Sequence, residues 1–127
     1  MKVSKGTDYA LHAMAYLVSQ NGKRDKLPVQ ELAGKLDVSS TYLSKILARL
    51  VKQKYIVATS GAKGGYSLPA DWEDISVYDI IVAIDGELTL FEDSFNHGDE
   101  CKIQRLMMEV EADMIEGFKK KSVEELI

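Results

Sequence analysis

One cysteine, Cys101, stands in 127 residues. That excludes an internal disulfide framework and leaves no set of thiolates for a structural zinc site. Histidine is nearly as scarce, with only His12 and His97. His12 falls within a helical pattern as a surface residue. Acidic runs such as Asp71/Glu73/Asp74 and Glu92/Asp93 lie in loops with no pocket signal beside them. An enzyme is therefore not expected, and no catalytic or metal-binding set is assigned. No apolar run approaches the roughly 18 residues of a membrane helix. Met1-Lys2-Val3-Ser4-Lys5 leads into no apolar stretch with a cleavage site, so a signal peptide is not expected and a cytoplasmic protein is. The 46% apolar and 28% charged residues suit one ordinary globular domain rather than a disordered chain.

The net charge of -4 conceals two opposite halves. Residues 1–66 carry eleven Lys and Arg against four acids, a net +7, whereas residues 67–127 carry five against sixteen, a net -11. A basic half beside an acidic one points to a polyanion meeting the first and not the second. The plain alternative is chance polarity of solvated faces.

Apolar spacing gives the order of elements. Tyr9, Ala10, Ala13, Met14, Leu17 and Val18 share one face of a helix over 4–20, with Ser4 as cap and Asn21-Gly22 as stop. Pro28 suits the first turn of a short helix over 28–36. After Asp37-Val38-Ser39 a longer helix runs over about 40–54, with Leu43, Ile46, Leu47, Leu50 and Val51 inward. Two helices joined by so short a turn form a helix-turn-helix. Tyr55–Ala58 reads as a strand, TSGAKGG (59–65) as a loop tip, and Tyr66–Leu68 as the returning strand. Helix, helix-turn-helix and hairpin in that order predict a winged helix. A further helix is expected over 76–84 and a long one over about 100–121. In the last, Ile103, Met107, Val110, Met114 and Gly117 are spaced as a heptad seam, widened by Leu106 and Phe118.

A helix entering the major groove needs short polar or cationic groups near its N-terminus. Ser39, Ser40, Thr41 and Tyr42 meet that need, and their hydroxyls position more than they specify. Lys45, one turn on, reaches a guanine edge or a phosphate. Arg49 and Lys52, farther along that face, are candidate phosphate contacts. The bland reading makes Ser39 or Ser40 an N-cap and packs Tyr42 on its neighbours. In the wing, Gly61, Gly64 and Gly65 permit close backbone approach around Lys63, which can follow the minor groove or its phosphates. GAKGG lacks P-loop spacing, so nucleotide binding is not expected.

The stretches DYALHAMAYL (8–17), VQELAGKLDVSSTYLSKILARLVKQKYI (29–56), SGAKGGYSL (60–68) and DISVYDIIVAIDG (74–86) resemble the Rrf-two family of bacterial winged helix-turn-helix transcription regulators, the IscR/NsrR/CymR type. The resemblance covers 1–86 well and 87–127 loosely. It implies a mainly α fold with a small β-hairpin wing. A DNA-binding domain (1–86) would precede an acidic sensor loop and dimerisation helix (87–127). It further implies a homodimer, most simply a repressor, on a double-stranded and roughly palindromic operator. Ser39, Thr41, Tyr42 and Lys45 fall on the family's recognition-helix contacts, and Lys63 with Gly64 falls on its wing. Where many members have Arg-Gly-Pro-Gly, this wing has Ala62-Lys63, which leaves Lys63 as the cationic substitute. Iron–sulfur members carry three cysteines ahead of the dimer helix. Only Cys101 is present here, resembling the last of them, and Asp8 matches a first-helix acid that ligates a cluster in some members. One thiolate leads us to expect no cluster and no other cofactor.

Cys101, near a helix start, is a candidate redox sensor, since oxidation or a bridge across the dimer would reorient the long helix. The plain alternative is a partly buried, inert thiol. His97, Asp99, Glu100 and Cys101 could also hold a divalent metal, with no diagnostic spacing. Two other function classes stay open. One is a protein-interaction adaptor on the same fold; the other is a regulator that senses a small ligand or a partner protein, with the acidic residues 85–100 lining its site.

Overall fold

The first helix, α1 (Lys5–Gln20), begins where Ser4 Oγ accepts the Thr7 backbone N–H at 3.2 Å. Its inward stripe of Ala10, Ala13, Met14, Leu17 and Val18 is buried. The computed structural model describes residues 2–90 and 101–127. Helix α2 (Val29–Leu36) follows, and Pro28 caps it from outside with an extended ψ of 152° instead of standing in its first turn. Helix α3 (Ser40–Lys52) buries Leu43, Ile46, Leu47 and Leu50.

Helix α3 ends two residues earlier than its apolar spacing predicts. Lys54 adopts φ 65°, its N–H donates to Val51 O at 2.9 Å, and the Tyr55 N–H donates to Leu50 O at 2.9 Å. That is a Schellman turn built on lysine rather than glycine. Helix α2 closes in the same way at Asp37, with φ 55° and the Val38 N–H on Ala33 O at 3.1 Å. The chain then turns Ile56 fully inward before the first strand begins.

Strands β1 (Val57–Thr59) and β2 (Gly65–Ser67) pair antiparallel, Val57 opposite Ser67 and Thr59 opposite Gly65. They start later and earlier, respectively, than expected, because Tyr55 belongs to the Schellman turn and Gly65 already pairs. Leu27 extends this ribbon: its N–H donates to Tyr66 O at 2.9 Å and its carbonyl accepts from Tyr66 N at 2.8 Å. The wing is thereby tied to the start of α2.

A short 3-10 turn (Trp72–Asp74) leads to helix α4 (Val77–Asp85). Ser76 and Asp79 cap α4 reciprocally, at 3.0 and 2.9 Å. Helix α5 (Lys102–Lys119) returns the chain to a second 3-10 turn (Val123–Leu126). There the Val123 N–H donates to Ile75 O at 3.0 Å and the Val77 N–H donates to Lys121 O at 2.7 Å. Val123 is fully buried in the core shared by α1, α2, α3 and α4. A smaller cluster of Val77, Ile81 and Leu88 receives Met114, Ile115 and Phe118 from α5. The fold is thus mainly α with a two-stranded wing, a winged helix-turn-helix followed by a long helix.

The C-terminal turn acts as a plug in the core of the winged helix. Val123→Ala should cost about 1–3 kcal/mol, read as a lower urea midpoint at unchanged slope. A parental midpoint would show that the segment contributes nothing to the core.

Candidate nucleic-acid interface

Helix α3 has two unlike faces. Beneath, its leucines are packed out of water; above, Thr41, Tyr42, Lys45, Ala48, Arg49 and Lys52 are exposed. Ser39 is the N-cap, its Oγ accepting the Tyr42 N–H at 3.1 Å. Ser40 opens the first turn and is half-buried. The Tyr42 ring is 41% exposed and stands edge-on to Tyr9 of α1, centroids 5.8 Å apart and planes at 87°. That contact fixes one side of the ring and leaves its other side open.

Lys45, Lys52 and Lys63 are exposed, and no acidic side chain lies within ion-pair distance of them among the described residues. Arg24 differs: Glu31 holds it at 2.6 Å and also accepts from Tyr16 Oη at 2.9 Å. Hydrogen bonds from Arg24 and then Tyr16 keep the Glu31 carboxyl below the usual range. That arginine is spoken for, whereas the lysines of α3 and the wing are not.

Arg49 is partly engaged. Its Nη1 donates to the Ile84 carbonyl oxygen at 2.8 Å, tying the middle of α3 to the C-terminal end of α4. Next door, Asp85 Oδ2 accepts the Ser4 N–H at 3.0 Å and the Thr7 hydroxyl at 2.6 Å. Thr7 is fully buried, and Asp85 satisfies its hydroxyl. Burial pushes the Asp85 carboxyl up, but the bonds from Ser4 and Thr7 together with the charge of Arg49 outweigh it, so its pKa lies below the ordinary value. None of Ser4, Thr7 or Asp85 was singled out for this role from the sequence. The available signal was Thr7, a hydroxyl three residues before Ala10 on the buried face.

In the wing, Lys63 stands at the tip. Gly64 is half-buried, and a Cβ on it would collide with the Thr59 carbonyl oxygen. Glycine at that position closes the loop.

Cys101 caps α5 without a side-chain bond and is half-buried. Along α5, Ile103 is 72% and Val110 52% exposed, with Leu106 and Met107 exposed beside them. Met114, the fourth residue of the expected seam, instead packs against the Val77 cluster and is half-buried. Asp8 is exposed, its Oδ1 lying 3.3 Å from His12 Nδ1. No group of three His, Cys, Asp or Glu side chains comes together among the described residues. His97, Asp99 and Glu100 lie outside them. No helix among the described residues is long and apolar enough to cross a membrane.

The sequence matches the Rrf2 family model, described as iron-dependent transcriptional regulators, over residues 3–127. The Lactococcus lactis protein YffB is 35% identical over 92 residues, which make up 72% of this chain and 58% of that protein. The chain therefore spans less than two-thirds of that relative. CymR (YrzC), the global cysteine regulator of Bacillus subtilis, superposes with a TM-score of 0.85 at 24% identity, covering 99% of this chain and 95% of that one. The oxidized form of Staphylococcus aureus CymR superposes with a TM-score of 0.77 at 26% identity, covering 98% and 94%. Toward any cluster the sequence offers one thiolate, Cys101.

Because the Asp85 carboxyl is depressed, its contribution is complete above the ordinary carboxylate range and is lost as pH falls through the depressed value. Asp85→Asn should therefore melt below the parent at neutral pH, and the gap should close on acidification. A gap that stays constant down through that range would show that the charge of Asp85 is not what holds Ser4 and Thr7.

Proposed function

The chain belongs to the Rrf2 family of transcriptional regulators, and from that premise we propose that it is a homodimeric repressor, working in the cytoplasm without an iron–sulfur cluster, whose two winged heads grip a roughly palindromic operator. The observation that carries this reading is the unpaired cationic face of α3 and the wing, backed by a core that holds α3 rigid. In the reading, residues 1–86 contact DNA and residues 87–127 sense and dimerise. Ser39, Ser40, Thr41 and Tyr42 meet the duplex at the start of the recognition helix, Lys45 meets a base edge, Lys52 a phosphate, and Lys63 with Gly64 the minor groove. Arg49 divides its donors between Ile84 and a phosphate. Family membership favours this over an adaptor role.

A second copy of the chain is the proposed cover for the apolar face of α5. Ile103, Leu106, Met107 and Val110 recur at i, i+3, i+4 and i+7, the pattern of a helix that meets another helix. Two heads joined in this way read two half-sites one DNA turn apart.

Cys101 is the proposed signal input. Peroxide would transfer one oxygen to its sulfur, giving a sulfenic acid and water. The half-buried position at the cap of α5 puts that change at the root of the dimer helix.

Selection from a random duplex pool supplies the operator. On it, Lys45→Ala should cost about 1–3 kcal/mol and relax preference at one base pair. Lys63→Ala should weaken all sequences alike. If both variants match the parent, these contacts are wrong. Replacing Ile103 and Val110 together by aspartate should convert a dimer to a monomer in sedimentation, with the circular dichroism of the head unchanged; an intact dimer would refute the seam. Peroxide should alter operator binding by the parent and leave Cys101→Ser unaffected; equal behaviour would remove the sensor.

A further inference from the structure

The cationic surface continues beyond α3. A groove of about 460 Å³ runs between the first turn of α1, the exposed side of α3 and the end of α4, and Lys5, Tyr42, Lys45 and Arg49 line it with Asp85. We infer that Lys5 is a further DNA-backbone contact, placing a phosphate across this groove from Lys45.

Three observations carry the inference. First, Lys5 is exposed and has no acidic partner within ion-pair distance among the described residues, as is true of Lys45. Two lysines that line one groove repel one another, and a bound phosphate relieves that repulsion. Second, the backbone under Lys5 is held in place. Asp85 binds the Ser4 N–H and the Thr7 hydroxyl on either side of it. Gly6 lies so close to its neighbours that a Cβ would stand 3.2 Å from Ile84 Cγ2 and 3.9 Å from Ile46 Cδ1. The base of the Lys5 side chain is therefore fixed relative to α3, and its ammonium reaches from a known place. Third, the charge on the groove favours an anion. Lys5, Lys45 and Arg49 line the groove with a single carboxylate, and the two donors on Asp85 Oδ2 come from the N-cap and the first turn of α1, which tie that carboxylate down.

This inference rests on the DNA-binding reading above, and its test separates the two. Binding of the full chain to the selected operator is measured over a range of salt concentrations, for the parent, Lys5→Gln, Lys5→Arg and a control, Lys120→Gln, at the far end of α5. Each phosphate contact contributes about 0.9 to the slope of log affinity against log salt. Lys5→Gln should lose affinity several-fold and lower the slope by about that amount, equally on operator and random DNA. Lys5→Arg should restore the parental slope, and Lys120→Gln should keep it. A parent that binds and a Lys5→Gln variant with the parental slope would overturn the role of Lys5 alone. Equal losses in Lys5→Gln and Lys120→Gln would reduce it to net charge. A parent that ignores DNA at every salt concentration would overturn the regulator reading with it.

Discussion

Everything in this molecule depends on α3 being two surfaces at once. Its lower stripe must be dry, and its upper stripe must stay wet and cationic. Leu43, Leu47 and Leu50 are fully buried while Lys45 and Lys52, between and beside them in sequence, are exposed. Burial of apolar area stabilises, and because the leucines lie on one stripe it sets the rotation of the helix about its axis. One polar tie to another element, Arg49 on the Ile84 carbonyl, adds to this, while the Ser39 cap and the Schellman turn at Lys54 close the helix's own ends. A rotation that hid Lys45 would expose leucine and break the Arg49–Ile84 bond.

The same logic explains which parts of the fold were legible in the sequence. Helices whose inner face repeats at three and four residues were placed within two residues of their observed ends. The ends themselves were harder, because Lys54 adopts a left-handed conformation that residue type does not announce. Leu27 pairing with Tyr66 joins positions 39 apart through backbone atoms only, so no side-chain pattern could report it. The C-terminal turn did carry a signal. Ser122 and Glu125 have capping-box spacing, but its meaning depends on Val123 entering a core made by residues far upstream. The site shows the same split. The residue types on the outer face of α3 were readable, whereas the Asp85 bridge is a contact across 78 to 81 positions and needed the fold.

The acidic half of the chain also takes on a structural meaning. Most of its acids lie on or near exposed segments of α4, α5 and the two 3-10 turns, so residues 1–66, with their net +7, keep the cationic face while the rest of the surface carries the opposite sign. That arrangement orients the molecule in the field of a polyanion, since the head is attracted and the remainder repelled. Asp85 is the exception, a carboxylate at the border of the cationic groove. Its two α1 donors and the nearby Arg49 make it a clamp for the groove wall.

Helix α5 divides along its length in a way that bears on signalling. Its C-terminal half contributes Met114, Ile115 and Phe118 to the chain's own packing, while its N-terminal half leaves Ile103, Leu106 and Val110 bare. One rigid helix of eighteen residues, ~27 Å at 1.5 Å per residue, therefore meets the head at one end and carries Cys101 at the other. In the proposed reading, a change at Cys101 would act on the bare half first. On the other half, α5 packs on Val77 and Ile81 of α4, α4 holds Arg49 through Ile84 and holds α1 through Asp85, and the turn that follows α5 enters the core at Val123. The C-terminal half of α5 is thus joined to α3 and to the first turn of α1 by packed helices and two hydrogen-bonded ties. A shift of α4 along its axis would strain its tie to Arg49 on α3 and its ties to the first turn of α1 together.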